Sequence, residues 1–159
     1  MKILVAYYSR SGNTQKMAEA VAKGVKQAGV DSDVREVTTM SIDDLPQYDA
    51  LIFGSPTYYG VMAAEMKKLL DDSVKYHGKL SGRIGGAFTS AGGIGGGAET
   101  TVLSILEALL IHGMVIVGEA GNFHYGPVAI GKPDKKVLDA CTKYGAKIAE
   151  LAEKIVEGQ

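Results

Sequence analysis

The chain opens Ile3-Leu4-Val5-Ala6-Tyr7-Tyr8-Ser9-Arg10-Ser11-Gly12-Asn13-Thr14 and turns helical at Gln15. An apolar run, a hydroxyl-rich turn and a helix follow one another without a spacer. A helix start leaves backbone N–H groups unpaired and carries a partial positive charge, so this turn is suited to an anion. Ser9, Ser11 and Thr14 add hydroxyls, Asn13 an amide, and Gly12 close backbone approach. The Lys of a Gx4GK[ST] loop and the glycine spacing of a dinucleotide fingerprint are both missing, which points to a terminal phosphomonoester. The competing reading is a Ser/Asn-rich turn that only caps the helix.

Outward from this segment, apolar runs alternate with helical patterns, the signature of βα units on a parallel sheet. Strands are expected at Ile3–Tyr8, Ser32–Val37, Ala50–Gly54, Ile84–Thr89 and Met114–Gly118, and helices at Thr14–Ala28, Met62–Val74, Ala98–Leu110 and Pro133–Val156. The second strand alternates polar and apolar residues, as an edge strand does; the third and fourth are continuously apolar or small, as strands buried on both faces are. The expected fold is one α/β domain over residues 1–159, a doubly wound five-stranded parallel sheet in the order 2-1-3-4-5. Ligands of such sheets bind at the carboxyl ends of the strands, beside the switch point between strands one and three.

Two more loops leave that edge. Gly54-Ser55-Pro56-Thr57-Tyr58-Tyr59-Gly60 follows strand three; Pro56 is expected to stop the strand, and the adjacent Tyr58 and Tyr59 offer rings on which a planar heteroaromatic could stack. Ser90-Ala91-Gly92-Gly93-Ile94-Gly95-Gly96-Gly97 follows strand four and holds five of the 21 glycines, a density that costs backbone entropy and suits close approach to a flat ligand. A rival reading takes Gly93 to Ala98 as G-x-G-x-x-A, with Glu119 as the ribose-binding acid of a dinucleotide site. A phosphate cradle, an aromatic pair and open backbone donors together describe FMN. No hydrolytic motif is present, so an enzymatic role requires a cofactor to carry the chemistry.

Composition narrows the remaining classes. With 17 Lys+Arg against 18 Asp+Glu, the net charge is −1, and no basic stripe runs along the chain, which argues against nucleic-acid binding and against a carrier steered by a strong single-sign field. His77, His112 and His124 have no close ligand spacing, so no metal is expected. The one cysteine, Cys141, lies among apolar helix residues and reads as a buried, inert thiol. No run approaches the ~20 apolar residues of a bilayer span, and no export signal opens the chain; a cytoplasmic location is expected.

The first loop resembles the phosphate loop of flavodoxins, and the order of elements matches that family over essentially the whole chain. Gly54 to Gly60, Thr89-Ser90, Gly95 to Gly97, Glu99-Thr100-Thr101 and Ile111 to Val117 look like the WrbA-type NAD(P)H:quinone oxidoreductases. The resemblance implies FMN held by Ser9, Arg10, Ser11, Gly12, Asn13 and Thr14 at its phosphate. Pro56, Thr57, Tyr58, Tyr59 and Gly60 would run along the ring system, and Ser90, Ala91, Gly92, Gly93 and Gly95 would line its polar edge. It also implies NAD(P)H as electron donor, a quinone-like acceptor or a redox protein as partner, and a homo-oligomer. The chain departs from the family by having no Trp, by offering Tyr76 and His77 before strand four, and by carrying Ile111 where the family has a His. The third loop contains no aromatic residue, so one flavin face is expected to be open or covered by a neighbouring subunit through Phe123, His124 and Tyr125.

Overall fold

The computed structural model describes residues 1–158. Its strands are β1 (Lys2–Tyr7), β2 (Asp31–Glu36), β3 (Ala50–Tyr58), β4 (Val61–Met62), β5 (Ile84–Ala91), β6 (Val115–Ile116) and β7 (Val128–Ile130), and its helices α1 (Asn13–Gln27), α2 (Ala64–Asp72), α3 (Ala98–Ile111) and α4 (Lys135–Glu157). The path β2-β1-β3-β5-β6 is parallel throughout, with β7 also parallel to β5. This is the expected doubly wound order. Successive strand residues serve opposite faces. Ile3, Val5 and Ile52 join the core beneath α1 and α4, whereas Leu4, Ala6, Leu51 and Phe53 join the core shared with α2 and α3. β2 is the half-exposed edge that its alternation predicted.

Two expectations are corrected. Pro56 does not stop the third strand: β3 runs on to Tyr58, with Pro56 opposite Ser90, and then folds back as the short antiparallel β4. The reason lies in the neighbour. β1 ends at Tyr7, and the Gly54 carbonyl takes its last bond from Tyr8 N–H at 3.0 Å. By strand alternation the amide position of Pro56 faces the same, now vacant side, so its missing N–H costs no ladder bond. Strand five, in turn, is not one segment at Met114–Gly118. β6 pairs with Ile84–Gly85, the chain leaves the sheet at Val117, and it returns as β7 beside Thr89–Ala91. Gly118, Gly121, Asn122 and Gly126 give this excursion its turns, and Glu119 N–H donates to His124 O at 3.0 Å to close it.

α1 and α4 cross backbone to backbone. A Cβ at Gly24 would lie 1.8 Å from Thr142 O, and one at Gly145 would lie 2.0 Å from Val21 O. Cys141 is fully buried near this crossing, and burial pushes its thiol up to about 12, which makes it inert as a nucleophile. Among the described residues, no helix is long and apolar enough to cross a membrane.

Candidate functional site

The three loops meet at the carboxyl edge of β1, β3 and β5. In the first, Gly12 adopts φ +89, a conformation that favours glycine, and its N–H donates to Ser9 Oγ at 3.1 Å. The first helical bond of α1 runs from Lys16 N–H to Gly12 O. The N–H groups of Asn13, Thr14 and Gln15 therefore have no helical acceptor. No side chain caps this helix, although Ser9, Ser11 and Asn13 are all close in sequence. The turn is thus not the simple cap of the competing reading. Arg10 and Ser11 are exposed, Ser9, Gly12 and Asn13 half-buried, and Thr14 buried.

Hydroxyls stitch the loops together. Thr14 Oγ1 and Ser90 Oγ are hydrogen-bonded at 2.9 Å across 76 residues of sequence. This one bond consumes a single hydroxyl proton, leaving the other free for a further acceptor. Thr89 Oγ1 donates to Ser55 O at 2.6 Å and is joined to Thr57 Oγ1 at 2.9 Å, so β3 and β5 are clamped where they enter the site. Ser55 Oγ in turn accepts from Ala63 N–H at 2.9 Å, fixing the start of α2 under the second loop. Thr100 Oγ1 reaches Gly60 O at 2.6 Å, tying α3 to the same turn. Thr89, Ser55 and Thr100 escaped the sequence reading as structural members of the site, because their partners are distant in the chain. Their hydroxyls beside the three loops were the available signal.

Pro56 is buried in β3, Thr57 and Tyr58 are half-buried, and Tyr59 projects fully into solvent at φ +50, followed by Gly60 at φ +82. Ser90 and Ala91 are buried strand residues, while Gly92, Gly93, Ile94 and Gly95 are exposed. Tyr8 is held above its ordinary range by a hydrogen bond to Glu65, by partial burial and by the Glu65 charge, which places that carboxylate beside the first loop. The rival dinucleotide reading gains one point and loses another. β5 extends to Ala91, so only Gly92 separates strand from fingerprint, but Glu119 sits in the excursion after β6, with its carboxylate bound by Lys147 at 3.1 Å. That ion pair occupies the acid the reading needs. Phe123, His124 and Tyr125 do lie beside Ile94 and Gly95, around a shared hollow of about 320 Å³.

A doubly wound sheet with an uncapped first helix and convergent hydroxyl, tyrosine and glycine loops at its switch point defines a flavodoxin-like protein. The Flavodoxin family profile matches residues 5–101. A flavodoxin of Aquifex aeolicus is 36% identical over 167 residues, covering 99% of this chain and 90% of the relative. An NAD(P)H dehydrogenase (quinone) of Archaeoglobus fulgidus is 34% identical over 189 residues, covering 97% and 98%. Among solved structures, a flavodoxin from the domain Archaea superposes with a TM-score of 0.82 at 33% identity, over 96% of this chain and 99% of that one. A WrbA-like protein of Agrobacterium tumefaciens reaches 0.84 at 28% identity, over 96% and 98%. The chain belongs to the flavodoxin family and resembles its WrbA-type members. Membership implies FMN as the cofactor.

Proposed function

We propose that this protein binds FMN across the three loops and uses it to pass electrons from NAD(P)H to a quinone-like acceptor. The donor set fits the cofactor. The free N–H groups of Asn13, Thr14 and Gln15, with the Ser9, Ser11 and Thr14 hydroxyls and the Arg10 cation, would hold the phosphate. Pro56, Thr57, Tyr58, Tyr59 and Gly60 would flank the ring, with Tyr59 the free stacking surface. Ser90, Ala91, Gly92, Gly93 and Gly95 would approach its polar edge through backbone. When bound, FMN supplies redox chemistry that no side chain here can perform.

The observation that carries the enzymatic reading is the exposed, aromatic-free third loop. Gly92 to Gly96 cover nothing, and a Cβ at Gly92, Gly93 or Gly95 would meet no atom within 4 Å. With Tyr58 and Tyr59 to hold the ring of FMN on one side, a loop without aromatics would leave room on the other for a nicotinamide and then for a small acceptor. The names of the curated relatives support the same donor and acceptor. Steady-state oxidation of NADH and NADPH with a benzoquinone tests the proposal. Turnover with either donor supports it, and failure with both on fully FMN-loaded protein sinks it.

A second reading is an electron carrier serving a redox protein, favoured by the 36% identity to a curated flavodoxin. Potentiometric titration separates the two: two resolved one-electron steps favour the carrier, a single two-electron step the reductase. The cytoplasm and a homo-oligomer complete the proposal, the latter through Phe123, His124 and Tyr125 at the site's rim.

A further inference from the structure

A larger cavity lies away from the three loops, between α4 and the excursion that divides strand five. It encloses about 700 Å³, within the roughly 300–1,000 Å³ typical of small-molecule sites. Its apolar lining includes Phe123, Pro127, Ala140 and Tyr144. Tyr144 presents ring rather than hydroxyl, because its oxygen already accepts the Ala87 N–H at 3.1 Å. Phe123 is the more telling residue. It sits at φ +63, a region that costs a bulky side chain strain and that glycine would occupy freely. Of the glycines in the same excursion only Gly126, at φ +141, has a positive φ, so at Phe123 an aromatic ring is held in a conformation that favours glycine.

The rim is cationic, although no run of basic residues announces it in the sequence. Lys135, Lys136 and Lys143 line the cavity, Lys147 pairs with its Glu119, and Lys143 and then Lys23 of α1 add to the field of Lys135 at Asp139. The two acids of the lining are already neutralised: Lys135 pairs with Asp139 at 2.6 Å, and Lys147 with Glu119 at 3.1 Å. Lys136 and Lys143, seven apart on one helix face, have no ion pair or side-chain hydrogen bond among the described residues. An apolar cleft with two uncommitted ammonium groups selects for a ring that carries negative charge.

We propose that this cleft is a second binding site, for a small aromatic oxyanion whose ring lies against Phe123 and Tyr144 and whose carboxylate or phosphate is held by Lys136 and Lys143. It shares no residue with the phosphate loop, so saturation with FMN leaves this cleft open, and the lysine variant below separates binding here from stacking at the exposed flavin face. Isothermal titration calorimetry of that protein with salicylate and with 5′-AMP, and with uncharged adenosine as control, tests it. Salicylate or 5′-AMP is expected to bind with unit stoichiometry, and adenosine roughly tenfold more weakly or not at all. The double variant Lys136→Glu, Lys143→Glu should lose roughly tenfold in affinity while its flavin absorbance stays unchanged. Phe123→Gly removes the ring and should also lose binding; because Phe123 borders the hollow beside Ile94 and Gly95 as well, the lysine variant is the one that isolates the cleft. Absence of binding by both anions, equal binding by adenosine, or unchanged affinity in the lysine variant would overturn the proposal; none of these outcomes bears on the flavin site.

Discussion

Two sets of glycines in this molecule do opposite things. At the α1–α4 crossing, Gly24 and Gly145 let two backbones touch, and an added Cβ would lie 1.8 and 2.0 Å from carbonyl oxygens. In the third loop, Gly92 and Gly93 have no neighbour within 4 Å of a built Cβ, and neither has a positive φ. The first pair is explained by the chain's own packing. The second pair is explained by nothing inside the chain. Glycine there lowers stability through unfolded-state entropy, so its reason lies in what comes to the loop from outside.

The largest effect should come from the packed pair. Gly145→Ala forces Val21 O and the Cβ apart across two helices, and neither backbone can yield without moving a whole element. A loss of at least ~3 kcal/mol, or roughly 10 °C in melting temperature, is expected. Thermal unfolding by circular dichroism measures it; a loss under half of that would mean that the crossing is looser than it stands here.

Next comes the phosphate loop. Ser11→Ala combined with Thr14→Ala removes two hydroxyl donors and leaves Ser90 without its 2.9 Å partner. With about 1.5–3 kcal/mol for each charge-assisted bond, the loss of two should weaken FMN binding by at least roughly a hundredfold. Flavin fluorescence quenching gives the dissociation constant, and an unchanged value would remove the phosphate from this loop.

The open pair should show the reverse pattern from Gly145. Gly92→Ala with Gly93→Ala is expected to stabilise the apo protein by about 0.4–1 kcal/mol per substitution, since both positions accept an L residue without strain. The same change should weaken FMN binding, because two methyl groups now stand where backbone would meet the ring. Gain of stability with undiminished affinity would separate the loop's glycines from the cofactor and reopen the question of what they serve.

These contrasts also show how far the sequence could be read. The strand order, the three converging loops and the edge character of β2 followed from period and burial, because an apolar run buried on both faces leaves few alternatives. Pro56 misled because a missing N–H matters only where a neighbour needs it, and the end of β1 at Tyr7 is a tertiary fact. The division of strand five misled for a related reason. Val115–Ile116 and Val128–Ile130 pair with opposite ends of β5, and that two short segments so far apart in the chain share one partner strand cannot be seen from local pattern. The hydroxyl links of Thr14 to Ser90 and Thr57 to Thr89 were invisible on the same grounds, as were the lysines gathered around the second cavity.

The smallest effect concerns a buried group far from both sets of glycines. His112 is 6% exposed, with Nε2 2.7 Å from Ser73 Oγ. The Ser73 hydroxyl donates to Leu70 O at 2.6 Å, so it accepts from His112, and the ring carries its proton on Nε2. Nδ1 is buried with no partner among the described residues. Protonating it would bury an unmatched N–H and a charge. Burial, and secondarily the neighbouring His77 ring at 6.1 Å, hold His112 below its ordinary 6.5. The unfolded chain therefore takes up a proton near pH 6.5 that the folded chain refuses. The sign is fixed: the stability contribution is full above pH 6.5 and falls as the pH drops below it toward the lower folded value. His112→Gln, which keeps a donor for Ser73 but cannot titrate, should flatten this slope between pH 7.5 and 5 in urea unfolding. A slope identical to that of the parent protein would mean that another group carries the acid sensitivity.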